Sequence, residues 1–309
     1  MLSRVADNLY WFGRYIQRAE ATARLITVNG HLLLDLPKNV QTGWQPLIEI
    51  LGVEKPFKVL YDEISEGNVV RFLTTDDRSP ASIVTSVRRA RESLRSVRDT
   101  RPQESWEKLN DLHLLLQADG DKCVNRRYRQ EFLGRVIDAC LLLFGVLTSN
   151  MSRDPGFQFL RLGTNLEQAD MTTRIIDVRT VNLIRMRGAE DLASFENIQW
   201  LSVLRSLTAY EMYRRLVRER VQGDSVLKFL LQDRDFPRSV VFCLGRMQRT
   251  LPKLPEKRAV ERSLTRAIAL LRDADTEQLL EKGLSEFLDE VQVCIAGVND
   301  ALNEAYFKR

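Results

Sequence analysis

Cysteine is scarce and scattered in this chain. Cys123, Cys140, Cys243 and Cys294 form no C-x-x-C pair, so neither a disulfide framework nor a structural zinc site is expected, and reduced thiols in the cytoplasm are. Cys243, in an apolar context, reads as a core thiol. Histidine is rarer still. His31 and His113 fall on separate segments without a ligand pattern, and no Glu-x-x-His pair is present for a di-iron centre, so no metal is expected. The spacings G-x-x-x-x-G-K-[ST], G-x-G-x-x-G, G-x-S-x-G and H-E-x-x-H are all missing. Common nucleotide, hydrolase and zincin chemistries therefore lack support, and no cofactor is expected.

Charge of one sign is not in excess either: 46 basic against 42 acidic residues leave a formal net charge of +4, interspersed along the chain. That balance argues against nucleic acid as the main partner. Long apolar runs are absent. The longest, "ACLLLFGVL" from Ala139, is too short to span a bilayer, and Arg4, Asp7, Arg14 and Arg18 interrupt any signal-peptide core. The expectation is a cytoplasmic protein with no membrane partner.

What is present is 44% hydrophobic residues, spaced by three and four between only 15 glycines and nine prolines. The fold class is therefore all-α. Helices are expected over 3–34, 44–53, 57–65, 80–99, 102–118, 123–150, 156–184, 197–221, 237–249, 256–273 and 276–307.

An internal repeat also emerges. "GRYIQRAEATARLITV" from Gly13 aligns with "GTNLEQADMTTRIIDV" from Gly163, sharing Gly, Ala, Thr, Arg, Ile and Val in the same order, with Glu20 opposite Asp170. Further on, Trp44 falls on Trp200, and "VVRFLTTDDRSPASIV" from Val69 aligns with "VLKFLLQDRDFPRSVV" from Val226. Shared Gly, Pro, Asp and Arg go beyond what helical periodicity imposes. The expectation is a duplicated unit of about 155 residues: a first helical repeat over 1–150 and a second over 151–309, two bundles related by a pseudo-twofold axis, in one core or two. The extra residues of the second copy fall near 185–197.

At about 100° per residue, Val5, Leu9, Phe12, Ile16, Ala19 and Ala23 form an apolar stripe on the opening helix. Glu20 lies inside it, and Asp170 lies inside the equivalent stripe around Leu166. A buried carboxylate has to be paired or neutralised. Arg24 and Arg174, four residues on, suit an i,i+4 ion pair. Two readings stand: a structural ion pair in each half, or Glu20 and Asp170 facing one another in a polar interior site. Glu211 with Arg215 forms a third E-x-x-x-R pair, which reads as a surface pair or as part of the same arrangement.

The opposite side of the opening helix carries Arg4, Asn8, Trp11, Arg14 and Arg18, a solvated face or a partner surface. A second basic stripe, Arg88, Arg91, Arg95 and Arg98, reads as a solvated face or a dock for an acidic polymer.

The segments "LSRVADNLYWFGRYIQRAEATARL" (2–25), "SPASIVTSVRRARESLRSVRD" (79–99), "WEKLN" (106–110), "AYEMYRR" (209–215) and "FPRSVVFCL" (236–244) resemble the alpha-E domain family, bacterial and all-α, over the whole chain. The resemblance implies an association with a circularly permuted ATP-grasp protein and a transglutaminase-like protein, in a system that makes or trims amide bonds. The polar positions it carries over are Ser3, Arg4, Asn8, Arg14, Arg18, Glu20 and Arg24. Three functions follow as expectations: a noncatalytic partner that binds an ATP-grasp amide ligase or its substrate through the Trp11 face; an enzyme acting on an amide or aminoacyl substrate with Glu20, Asp170 or Glu211 as catalytic candidates and Arg24, Arg174 and Arg215 as binding residues; or a binder of an acidic polymer.

Overall fold

A computed structural model describes the backbone of residues 3–36, 43–97, 101–185, 192–218, 220–255 and 258–308, and the side chains of these except 181–185 and 192–195. The described residues are helical, with no strand. In chain order the α-helices are α1 (Ser3–Asp35), α2 (Gln45–Ile50), α3 (Glu54–Leu60), α4 (Glu66–Thr74), α5 (Ile83–Arg95), α6 (Gln103–Asp119), α7 (Arg126–Asn150) and α8 (Pro155–Arg185). There follow α9 (Leu192–Ser206), α10 (Tyr210–Val217), α11 (Gly223–Gln232), α12 (Val240–Thr250), α13 (Arg258–Arg272), α14 (Thr276–Glu281) and α15 (Leu284–Leu302).

The chain divides into two compact units, Met1–Gly30 with Gly43–Thr164 and His31–Thr42 with Asn165–Arg309, so α1 and α8 each contribute to both. In the first unit α6 packs between α5 and α7, and α4 lies against the short 3-10 turn at Gly120–Val124. In the second, α13 packs on α12 and α15 while α11 meets α12 and α14.

The opening helix is more deeply buried than a single apolar stripe predicts. Leu9, Phe12, Ile16, Ala19, Ala23 and Ile26 are buried, but so are Tyr10, Gly13, Gln17, Thr22 and Leu25 on other faces. A helix apolar or small nearly all round is a central one, and α8 is buried in the same way. In the first unit these two helices approach at a pair of glycines. A Cβ on Gly13 would lie 2.5 Å from the Leu160 carbonyl oxygen and 2.9 Å from Thr164 Oγ1; a Cβ on Gly163 would run into the Tyr10 carbonyl.

Several expected boundaries are corrected. The helix placed at 57–65 runs instead from Glu54 to Leu60. α4 and α11 were not expected. Gly67, Asn68, Gly223 and Asp224 look like turn residues, yet these nine- and ten-residue helices bury Val69, Phe72 and Leu73, and Val226, Phe229 and Leu230. The Ser65 side chain caps α4 by accepting from the Asn68 amide at 3.3 Å. The single helix placed at 197–221 is two. Thr208 adopts a left-handed φ of 50°, and the Ala209 amide reaches back to the Leu204 carbonyl at 2.8 Å, closing α9 with a Schellman turn. The helix placed at 276–307 breaks at Gly283, whose φ of 91° suits glycine. Of the insertion expected near 185–197, residues 186–191 lie outside the described residues, and 192–197 form the start of α9.

The loop between α4 and α5 is fixed by Asp76, which accepts from the Tyr61 hydroxyl at 2.8 Å and from Arg78 Nε at 2.9 Å. The Arg78 guanidinium, helped by the Tyr61 hydroxyl and opposed by burial, holds the Asp76 carboxyl down at about 2. A folded value below the unfolded one means the contribution is present above about pH 4 and is lost as pH falls through about 2. Asp76→Asn is expected to remove about 1 kcal/mol of stability at neutral pH, a figure discounted for the exposure of Arg78, and to flatten acid unfolding between those limits. Urea titrations at a series of pH values measure both effects.

α7 is long and apolar enough, by length and composition, to cross a membrane. This corrects the expectation that no apolar stretch is long enough; one face of the helix, with Phe132, Leu133, Val136, Cys140, Leu143 and Leu147, is buried and α7 packs on α6, while Leu141 and Leu142 are exposed.

Candidate functional site

Glu20 sits in the middle of α1 with 1% of its side chain exposed. Both carboxylate oxygens have donors one turn away: Arg24 Nε lies 2.7 Å from Oε1, and Gln17 Nε2 lies 2.9 Å from Oε2. The pairing follows from helix geometry, since residues three and four apart share a face and the acid-before-base order agrees with the helix dipole. Arg24 remains 17% exposed, so the pair joins a fully buried carboxylate to a guanidinium side chain nearer the surface. Cys140 on α7 lies beside the pair, its thiol pushed up by burial first and by the Glu20 charge second.

In the second unit Arg174 Nε lies 3.0 Å from Asp170 Oδ1, the same i,i+4 arrangement. Here the interior expectation needs correcting. Asp170 is 16% exposed at its side chain and Arg174 35%, so this pair sits at the edge of the core. The buried carboxylate of α8 is Glu167, 1% exposed, at the position that Gln17 occupies in the alignment. Glu167 lies well off the apolar stripe around Leu166, so periodicity does not mark it as interior; a helix buried nearly all round removes that distinction.

Glu211 and Arg215 are both exposed on α10, and among the described residues neither joins an ion pair. They stand apart from the buried Glu20 type of pair. One carboxylate was missed altogether. Asp177, two turns beyond Asp170, accepts from Ser285 Oγ at 2.9 Å and has Asp289 and Arg174 near it; burial first, with help from Asp289, raises its carboxyl above the usual range. No spacing rule links α8 to α15, so nothing in the sequence pointed to this cluster.

The basic and aromatic face of α1 is partly satisfied from within. Of this face Arg4 is exposed, while Asn8, Trp11, Arg14 and Arg18 are half-buried. The Arg14 guanidinium lies 5.0 Å from the Trp11 ring, and Trp11 stacks on Tyr15 at 5.5 Å. The Trp11 indole donates to Asp7, whose carboxyl is raised by burial and partly restored by that bond. Arg89 of α5 reaches the Tyr15 ring at 5.9 Å. The second basic stripe is split: Arg88 and Arg95 are exposed, whereas Arg91 turns to α6, bonding Asn110 Oδ1 at 2.7 Å and covering Trp106 at 5.2 Å. Arg98 lies outside the described residues.

Among the described residues no group of three or more His, Cys, Asp and Glu is placed to hold a metal ion. Cys123, Cys140 and Cys243 are buried, and desolvation pushes Cys123 and Cys243 up to about 12. The thiolate is the reactive species. Ellman's reagent on native protein at pH 8 is therefore expected to titrate Cys294, which is half-exposed, and to reach the other three only after unfolding.

With this arrangement in place, comparison with known proteins gives the family. The chain belongs to the Alpha-E family, described as a predicted alpha-helical domain with a conserved ER motif, which matches residues 1–307. It is 24% identical over 322 aligned residues to an uncharacterized protein of Mycobacterium bovis and, equally, to one of Mycobacterium tuberculosis. Each alignment covers 97% of this chain and 36% of the relative, so the chain spans about a third of the length of these curated relatives. No solved structure matches it.

Proposed function

We propose that this chain is a noncatalytic helical partner of a circularly permuted ATP-grasp amide ligase, working in a system that also includes a transglutaminase-like protein, and that it acts by binding. The observation that carries this reading is the state of Glu20. A general base needs an accessible carboxylate within reach of a proton on substrate, and both oxygens of Glu20 are engaged by Gln17 and Arg24. The pair instead fixes the central helix, a role buried charges serve by setting register. The Trp11, Arg14 and Tyr15 cluster is a preformed aromatic and cationic surface on that same helix, the composition that dominates binding energy at protein interfaces. Co-purification of the chain with the ligase encoded beside it tests the proposal. A stable complex weakened by Trp11→Ala is expected; no complex, with ligase turnover indifferent to the chain, would overturn it.

We also infer that the two halves arose by duplication. Ser82 and Ser239, aligned in sequence, cap α5 and α12 with φ, ψ of −65°, 152° and −67°, 149°, accepting from Thr85 and Phe242 amides at 3.2 and 3.1 Å. The aligned glycines behave reciprocally too, Gly13 against Leu160 and Gly163 against Tyr10.

A second reading, an enzyme acting on an amide or aminoacyl substrate, draws support from Asp170, Arg174 and Asp177. That set combines a partly exposed ion pair with a carboxyl raised by burial. Loss of turnover in folded Asp177→Asn protein, with ligase association intact, would favour it over the binding role.

A further inference from the structure

The second unit carries a surface that the Trp11 face does not account for. α10 is eight residues long and buries one side chain, Tyr213. So short a helix has little stability of its own, and it is held at both ends by backbone that L-residues rarely adopt. Thr208 precedes it at φ 50° and Arg218 ends it at φ 58°, the two non-glycine residues with positive φ among those described. Beside the buried Tyr213 the helix keeps apolar side chains in solvent: Met212 and Leu216, one turn apart, are 39% and 55% exposed.

Leu216 and Val217 form one wall of a cleft of about 400 Å³ whose other wall is α11, with Ser225, Lys228 and Phe229. The Phe229 ring is braced from behind by Tyr213 at 5.7 Å and Phe236 at 4.8 Å, so the floor is rigid and aromatic. Around the cleft the charge is mainly positive. Among the described residues Arg214, Arg215, Arg218, Arg220 and Lys228 are exposed and in no ion pair, and the acids beside them are Glu211, Asp224 and Asp233, the last lining the cleft itself. Asp233 is committed to the amides of Asp235 and Phe236 at 2.8 and 2.6 Å.

We propose that the α10–α11 cleft docks an amphipathic helix of a partner protein, one that presents two apolar side chains a turn apart and carboxylates on its flanks. The apolar pair enters over Phe229 beside Leu216, and the carboxylates meet Arg215, Arg218 and Lys228. Helix-in-groove recognition uses this division of labour, apolar anchors for affinity and rim charges for orientation. A nucleic acid would satisfy the cations but leave Met212, Leu216 and the aromatic floor without a counterpart, so protein is the better match. The proposal rests on the reading of this chain as a binding partner but does not depend on which protein it binds.

The test is selection of a displayed library of helical peptides, each of about 14 residues or four turns, on the full chain. Recovered sequences are expected to carry an i,i+4 apolar pair with flanking Asp or Glu. Synthetic peptides made from them are expected to bind the Leu216→Glu and Arg215→Glu proteins about tenfold more weakly, while binding a protein changed at the exposed Lys58, Lys58→Glu, as they bind the parent. Basic or featureless recovered sequences, recovery unaffected by Leu216→Glu, no enrichment at all, or an RNA oligomer that competes for the same residues would each overturn it. A Leu216→Glu protein that still co-purifies with the ligase would remove this surface from the complex and leave the partnership standing.

Discussion

Gly163→Ala is expected to destabilise the protein by about 3 kcal/mol, lowering its melting temperature by about 6–12 °C for a domain of this size. The direction is informative because helix propensity alone predicts the opposite: alanine in a helix interior is better than glycine by about 1 kcal/mol. At Gly163 the added methyl would meet the Tyr10 carbonyl, a backbone atom that can only move with its helix. Separating α1 from α8 strips contacts from Leu9, Phe12 and Leu162, all buried in a core that tolerates little extra volume. Gly13→Ala is expected to cost somewhat less, since one of its neighbours is the Thr164 hydroxyl, which can rotate. Gly134→Ala and Gly145→Ala supply the contrast. Both lie within α7 with open space where a Cβ would go, so each is expected to stabilise by about 0.5–1 kcal/mol. Chemical denaturation of the four variants reads the sign directly; a stabilised Gly163→Ala protein would mean that the two helices do not approach as closely as described.

The second large effect concerns Glu20. Arg24→Met removes the guanidinium from a carboxylate that is 1% exposed and is expected to cost about 3 kcal/mol, because a buried charge loses its counter-charge. Adding Glu20→Leu to that background is expected to return most of the loss, since two apolar groups can replace a buried pair with little change in stability. With the Glu20→Leu single variant completing the double-mutant cycle, the coupling energy is expected to be at least about 2 kcal/mol. Arg174→Met is expected to cost under 1 kcal/mol, its pair being partly exposed. Equal losses at the two arginines would contradict the distinction drawn between a core pair and an edge pair.

Both effects bear on how much the amino-acid order reveals. The spacing of Glu20 and Arg24 at four residues was sufficient to anticipate their pairing, because an i,i+4 contact depends only on helix geometry. The alignment of Gly13 with Gly163 flagged both positions, but the close approach that requires them depends on how α1 and α8 cross. α4 and α11 were hidden because their polar first turns, "SEGN" and "VQGD", resemble loops, and their apolar residues gain meaning only against tertiary neighbours such as Trp200, which packs on Gly223. Thr208 and Arg218 were unreadable for another reason, since a β-branched residue and an arginine in the left-handed region run against local preference. The Asp177–Ser285 contact joins α8 to α15, and single-sequence patterns carry no information on pairs so far apart.

Glu211 shows the limit of spacing in the other direction. Its arginine stands four residues on, as at Glu20 and Asp170, but α10 presents both to solvent and the pair does not close. An E-x-x-x-R spacing makes the contact available, and burial decides whether it forms, because an exposed pair gains too little to hold two flexible side chains together.

The central claim is that the chain works by binding, with Glu20 as a structural group. Reconstitution of ATP-dependent amide formation by the proposed ligase partner, with the parent chain and with Glu20→Gln protein verified as folded, tests it most directly. The account predicts that omitting the chain lowers product formation and that the Glu20→Gln protein restores it to the parental rate. Restored association without restored turnover would contradict the account and move Glu20 into the chemistry.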